Sequence, residues 1–401
     1  MKKKEIVLSI IGILLVGGVL FVITNKNTKK TFIQDGVLFA VKLDGVSQNS
    51  FPSGNNYYVD IDCTNARGRW MRAPSTNGGS DDAYRIVIDN VTGKVECNVD
   101  FQTNPSTLRD TIIGLITSGN IYEHKDQSNN TDWVLENVTD SGTNSNNDTV
   151  TAGYRYEGKK PNNYVWFNNE MWRIIGVIPT CISSGCTTTE NLVKIIRTEP
   201  IGGLQWGLSA TNLWGNANSL YQLLNNYYLI KGNATGANIC VGYGDAKGDC
   251  DYRVVGIGET SYYGNMIKNV YWNTGLGLNT DTASATYGKE ILTQNIGGKI
   301  GIMNASDYGY ATTTHSREWS YYGVYASTNW LYGQGYEWTI TPSSAYNDYV
   351  LYINTDGRIY GMGVTGSGRA IRPVVYLDSS VYVASGDGSE ANPYQIAMAS
   401  N

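Results

Sequence analysis

Lys2, Lys3 and Lys4 precede an uncharged apolar run from Ile6 to Thr24. A helix over that run is roughly 28 Å long, close to the hydrocarbon thickness of a bilayer. Lysines on the N-terminal side keep that end in the cytoplasm and place the rest of the chain outside. A cleaved signal peptide has a shorter apolar region and an A-x-A-like site, and none follows Phe21-Val22-Ile23-Thr24. The pattern predicts an uncleaved signal anchor in the cell membrane, single-pass, with helix 6–24 and a basic linker to residue 30.

From residue 31 to about 104 the pattern is that of strands. Val37–Val41 is an apolar run, Tyr57–Ile61 and Tyr84–Ile88 alternate in part, and Val95–Phe101 alternates strictly. Gly- and Asn-rich clusters separate them, as turns require. This predicts a small all-β module. Residues 105–153 read as a helix and a polar linker. Thr107 and Asp110 have capping-box spacing, Leu108, Ile112, Leu115 and Ile116 share one helical face, and Gly119 is a stop. Ser128–Thr151 is rich in Asn, Asp, Ser and Thr and reads as a surface loop.

A large α+β domain is expected over 154–398. Tyr164–Phe167 and Trp172–Ile178 flank Asn168-Asn169-Glu170 as a hairpin, and Val193–Arg197 is a third strand. Leu220, Leu223, Leu224, Tyr227 and Tyr228 recur at helical spacing. Further strands are read at Lys299–Met303, Val350–Ile353 and Val374–Leu377.

Charged residues are 16% of the 401-residue chain, whereas Gly (46) and Tyr (30) are abundant, as in β-rich extracellular domains. Beyond residue 30 there are 24 basic and 34 acidic side chains. No basic stripe remains there for a phosphate backbone, so nucleic acid is not an expected partner. Six cysteines fall in three sequence-local pairs: Cys63 with Cys97, Cys181 with Cys186, and Cys240 with Cys250. Outside the membrane, nearest-neighbour disulfides are the expectation among the connectivities that six cysteines allow. No pair has C-x-x-C spacing, which argues against zinc.

Four blocks, YRYEGKKPNNYVWFNNEMWRIIGV, GKIGIMNASDYGYAT, NWLYGQGYEWTITPSS and RAIRPVVYLDSSVYVASGDGSEANPYQI, lie between Tyr154 and Ile396. In this order they resemble a family of uncharacterised cell-surface proteins of Firmicutes. Cys63-Thr64-Asn65 and Cys97–Phe101 resemble small cysteine-containing β modules that precede that domain. A more distant likeness is to the sulfatase-modifying-factor fold, itself similar to C-type lectins. It rests on Gly335-Tyr336-Glu337-Trp338-Thr339 and on Ile371-Arg372-Pro373 near the end. The likeness implies a lectin-like, sulfatase-modifying-factor-like α+β domain in which Glu337, Trp338 and Arg372 are structural. Formylglycine-generating members need a late cysteine pair, and no Cys follows Cys250. The sugar motifs E-P-N and Q-P-D are missing too, so the likeness implies a fold rather than an activity.

Gly361–Gly366 matches G-x-G-x-x-G, but Arg369–Pro373 follows where a dinucleotide site needs a helix. His124 and His315 are the only imidazoles, and no motif surrounds either. No residue is assigned a catalytic role, and no cofactor is expected. Calcium is conceivable at the acidic, Gly-rich turns of Asp245, Asp249 and Asp251, or at Asp387, although no spacing there matches a known loop. Trp319, Tyr322, Asn329, Trp330 and Tyr332 lie in Gly- and Asn-rich, loop-like surroundings that suit stacking on sugar rings or protein contacts. The expected function is recognition of a glycan or protein ligand by a membrane-anchored extracellular protein. One rival is a surface polysaccharide hydrolase using two of Glu170, Asp307, Glu318 and Glu337. The other is a pilin-like subunit, hinted at by Glu5.

Overall fold

The computed structural model describes residues 6–9, 31–52, 57–72, 84–103, 105–125, 132–138, 153–216, 219–234, 250–275, 285–286, 295–313, 318–319, 328–333, 335–343 and 346–398. These residues are mostly β-strand with a few short helices. The chain divides into two compact units, residues 1–108 with 380–387 and 394–401, and residues 109–379 with 388–393. The C-terminal strands, expected in the large domain, therefore group with the first unit.

In the first unit a sheet runs in the order Thr31–Gln34, Val37–Leu43, Glu96–Gln102, Tyr58–Thr64, with Val46–Gln48 also paired to Val37–Leu43. Asp35-Gly36 and Asp44-Gly45 both have positive φ, as two-residue hairpin turns demand. Val37–Leu43 and Glu96–Gln102 run parallel. Phe39, Val59, Ile61, Val99 and Phe101 fill the core beneath them. Cys63 stands opposite Cys97 on neighbouring strands, and the two are disulfide-bonded. In the chain-entropy picture that closure stabilises the unit by about 4 kcal/mol.

Ile6–Ser9 departs from the expected helix. It is a strand antiparallel to Tyr84–Asp89, which also pairs with Arg67–Arg72. An Ile-Val-Leu run suits a strand as well as an apolar helix, and Tyr84–Asp89 supplies the backbone partners. Residues 10–24 lie outside the described residues. Among the described residues no helix is long and apolar enough to cross a membrane.

The second unit is built on an antiparallel sheet in the order Ile300–Gly301, Val374–Leu377, Thr189–Arg197, Glu170–Cys181, Gly153–Gly158, Trp133–Val138, Ile121–His124. Tyr164–Phe167 folds back on Glu170–Cys181 through Asn168 and Asn169, both at positive φ. Gly176 sits at a bulge in Glu170–Cys181, where an added Cβ would lie 1.9 Å from the Tyr154 carbonyl oxygen. Only glycine lets the two strands approach there.

Trp133–Val138 corrects the linker reading of 128–151. Trp133, Leu135 and Val138 are buried, and the strand pairs on both sides. The polar stretch hides a short alternating segment whose length falls below what composition reveals. The helix expected after Thr107 is only Leu108–Ile113. The helix at Leu220 begins in α form and continues as a π turn over Leu224–Tyr228, where Leu229 N–H donates to the Leu224 carbonyl. Leu220, Leu223, Leu224 and Tyr228 are all buried, as the spacing requires. Asn225, on the opposite side, accepts from the Lys299 and Ile300 N–H groups and donates to the Ile300 carbonyl.

Cys181 and Cys186 form a second disulfide. Cys250 is also disulfide-bonded, and Cys240 lies outside the described residues. Disulfides of this kind belong to a protein that folds in an oxidising compartment, as extracellular and secreted proteins do.

Candidate functional site

The five residues expected to bind ligand are not one exposed cluster. Asn329 is 5% exposed, donates from Nδ2 to the Tyr308 carbonyl (2.7 Å) and accepts at Oδ1 from Leu331 N–H (2.8 Å). Trp330 is 7% exposed, and its indole N–H donates to the Tyr156 carbonyl at 2.7 Å. The exposure expected of these two is therefore corrected: the Gly- and Asn-rich surroundings wrap a core ring. Tyr332 is half-buried and its hydroxyl donates to the Thr355 carbonyl. Trp319 lies in the two-residue strand Glu318–Trp319, paired with Ala285–Thr286. Its side chain and all of Tyr322 lie outside the described residues.

Trp330 also covers Arg173. The guanidinium carbon is 4.6 Å from the Trp330 ring centroid and 4.0 Å from that of Tyr164. Arg173 donates to Asn163 Oδ1 (2.7 Å) and to the Pro161 carbonyl (3.2 Å). Burial pulls this guanidinium down to about 10, with Tyr164 opposing and Arg372 adding to the shift.

Glu337 and Arg372 form a buried two-pronged ion pair, with Nε to Oε1 at 2.6 Å and Nη2 to Oε2 at 2.7 Å. Arg372 also donates to the Leu331 carbonyl. Burial pushes the Glu337 carboxyl above its ordinary range, and Arg372 opposes that. Trp338 is buried and its indole N–H donates to the Leu204 carbonyl. The three residues read as structural thus sit where the fold is tied together.

Two more carboxylates of the hydrolase reading are paired as well. Glu170 grips Arg197 through both oxygens, and Asp307 receives Arg155 and Lys194. Glu318 lies in the short strand with Trp319, its side chain outside the described residues. His124 stacks on Trp133 at 5.3 Å, and His315 lies outside the described residues. Asp251 is held by Arg253 down to about 2. Asp387 is exposed, and Asp245 and Asp249 lie outside the described residues. Among the described residues no three His, Cys, Asp or Glu side chains converge as a metal site.

What the structure assembles instead is a row of aromatic rings across three strands. A second sheet in this unit runs Gly203–Leu204, Arg369–Ala370, Glu337–Pro342, Tyr349–Ile353, Ile359–Gly363. Trp338 stands opposite Tyr352, and Tyr352 opposite Tyr360. Alternation puts all three on one face. Their ring centroids are spaced 6.0 Å at each step. Burial falls along the row, from the enclosed Trp338 to half-buried Tyr352 and Tyr360. Tyr336, 39% exposed, joins it 6.1 Å from Tyr352. The Arg369 guanidinium lies against three of these rings, 4.0 Å from Tyr352, 4.6 Å from Trp338 and 5.1 Å from Tyr336. That contact holds the rings in place. Tyr360 is steadied by its hydroxyl on Asp356 Oδ2.

Sequence reasoning missed Tyr336, Tyr352, Tyr360 and Arg369. The available signal was the hairpin Tyr349–Ile353, Asn354–Gly357, Ile359–Gly363, whose short turn sets Tyr352 opposite Tyr360. Gly361–Gly366, the literal dinucleotide motif, is the end of that hairpin and a turn; no helix begins there.

The chain matches no family model, no curated protein and no solved structure.

Proposed function

We propose that this chain is an extracellular binding protein, held at the cell membrane by residues 6–24, that presents the Tyr336–Tyr352–Tyr360 row to a glycan or protein ligand. The observation behind this reading is the row itself. Flat, wet-edged rings fixed by a buried cation cost little ordering entropy on binding, and they suit stacking on sugar rings or on a partner's side chains. The disulfides agree with an extracellular location. Against the hydrolase stands the pairing of Glu170, Asp307 and Glu337, since a carboxylate locked to a guanidinium or ammonium is not free to act as acid or nucleophile.

Anchoring requires Ile6–Ser9 to leave its place beside Tyr84–Asp89 and enter the bilayer as helix. Protease added to intact cells should then remove a C-terminal epitope while the N-terminal fragment pellets with membranes; a protected epitope would refute the topology. Binding is tested by applying the full-length chain in detergent to an array of immobilised oligosaccharides and surface proteins. Retention lost in Tyr336→Ala, with the melting temperature unchanged, supports the reading. Retention unaffected by Tyr336→Ala places recognition elsewhere.

A further inference from the structure

The most unusual chemistry in the molecule is away from the aromatic row. Lys194 lies in the inner strand Thr189–Arg197 and is 1% exposed. Its Nζ is 2.9 Å from Asn304 Oδ1 and hydrogen-bonds Asp307 Oδ2. Asn304 is the N-cap of the helix Ala305–Gly309, and Asp307 is its third residue, so the capping box itself presents both groups to the lysine. The Trp272 and Tyr376 rings flank Nζ, with centroids at 5.9 and 5.4 Å. A lone ion pair needs no carboxamide at the amine, and a helix cap needs no lysine. Here an amine, a carboxamide and a carboxyl are packed together in the buried interior.

We propose that Lys194 and Asn304 become joined by an amide bond between their side chains, formed inside the folded chain with Asp307 as the proton carrier. This is independent of the binding reading. In water an amine does not displace ammonia from a carboxamide, because it is protonated and the amide is a poor electrophile. Fixed contact offsets the poor electrophilicity of the amide, since effective molarities of oriented groups reach about 10⁵–10⁸ M. Burial favours the neutral pair, but the two opposite charges outweigh it: Lys194 is held above its ordinary range and Asp307 below its own, so the step starts from a minor neutral form.

The step balances without any other reactant. A proton passes from the Lys194 ammonium to Asp307 Oδ2. The free amine attacks Cγ of Asn304, forming a new C–N bond. The carbonyl electron pair moves onto Oδ1 and returns when the bond to Nδ2 breaks. The attacking nitrogen loses a proton, Asn304 Nδ2 gains one through Asp307, and the Cγ–Nδ2 bond breaks. Nδ2 leaves as ammonia and takes up the proton still held by Asp307, so ammonium departs and the carboxylate is restored. Before the step Asn304 Nδ2 donates to the Asn273 carbonyl, which steadies the leaving group. Arg155 donates to Asp307 Oδ1 at 3.0 Å and disfavours the protonated carboxyl. It slows the step, but each chain need react only once.

The test is the intact mass of the full-length protein, reduced and denatured. The expected mass is below that of the sequence by one ammonia, about 17 Da. Peptide mapping should recover a branched peptide joining Lys194 to Asn304. Asn304→Ala and Asp307→Asn should have the full mass calculated for their sequences. The wild-type result alone decides, so a variant that fails to fold removes nothing. A wild-type chain at full sequence mass would overturn the proposal. So would a loss of ammonia mapped to any other residue.

Discussion

Trp330 is where pattern and structure disagree most sharply about consequence, and its removal can be worked through. The ring is 93% enclosed by the fold, its N–H is bound to the Tyr156 carbonyl, and its face covers Arg173. Large aromatic side chains bury roughly 150–250 Å², and about 25 cal/mol per Å² gives ~4–6 kcal/mol of transfer free energy, part of which alanine retains. Trp→Ala in cores costs about 3–5 kcal/mol by measurement on other proteins. The Tyr156 carbonyl left without its donor adds about 1 kcal/mol, and the lost cation–π contact about 0.5–2 kcal/mol. Trp330→Ala should therefore destabilise by ~5–8 kcal/mol, enough to unfold a marginal domain. Trp330→Phe keeps most of the ring and should cost about 1–2 kcal/mol less the repacking. Guanidinium chloride unfolding followed by far-ultraviolet circular dichroism measures both. A Trp330→Ala midpoint within about 0.5 kcal/mol of wild type would refute the assignment of this ring to the core.

Glu337→Gln removes one partner of a fully enclosed pair and leaves the Arg372 guanidinium facing an amide, so the same unfolding assay should show a loss of about 3–5 kcal/mol. Lys268 sits between Asp378 (3.0 Å) and Glu190 (3.5 Å), and the hydrogen bond to Asp378 raises its ammonium against partial burial. Its folded value lies above its unfolded one, so its contribution is fully present below about pH 10 and is lost as the pH rises through the folded value. Since the side chain is 30% exposed, Lys268→Met should cost at most ~1 kcal/mol at neutral pH, and the difference from wild type should vanish in strong alkali. A difference unchanged by pH would show that packing, not charge, is at work.

Much of the scaffold was legible because local rules and burial agreed. The strictly alternating Val95–Phe101, the Asn168-Asn169 turn and the Leu220–Tyr228 face each say in sequence what the structure does. Glu337 and Arg372, expected to be structural, form a buried ion pair. The failures share a cause. Trp133–Val138 has only six residues amid polar sequence, and it exists because two neighbouring strands offer it backbone partners. Ile6–Ser9 satisfies helix and strand patterns alike. The aromatic row depends on cross-strand register, which places Trp338, Tyr352 and Tyr360 side by side although they are far apart in sequence. Trp330 looked exposed because its neighbours are polar, yet those neighbours turn their polar groups inward: Asn329 spends its amide on backbone.

The aromatic row is the proposed recognition surface. The measurement that tests it most directly is ligand retention on the oligosaccharide and surface-protein array by full-length wild type and by Tyr336→Ala, with melting temperatures recorded in parallel. Loss of a wild-type signal in Tyr336→Ala at unchanged melting temperature is the predicted result. Equal retention by the two proteins would contradict it.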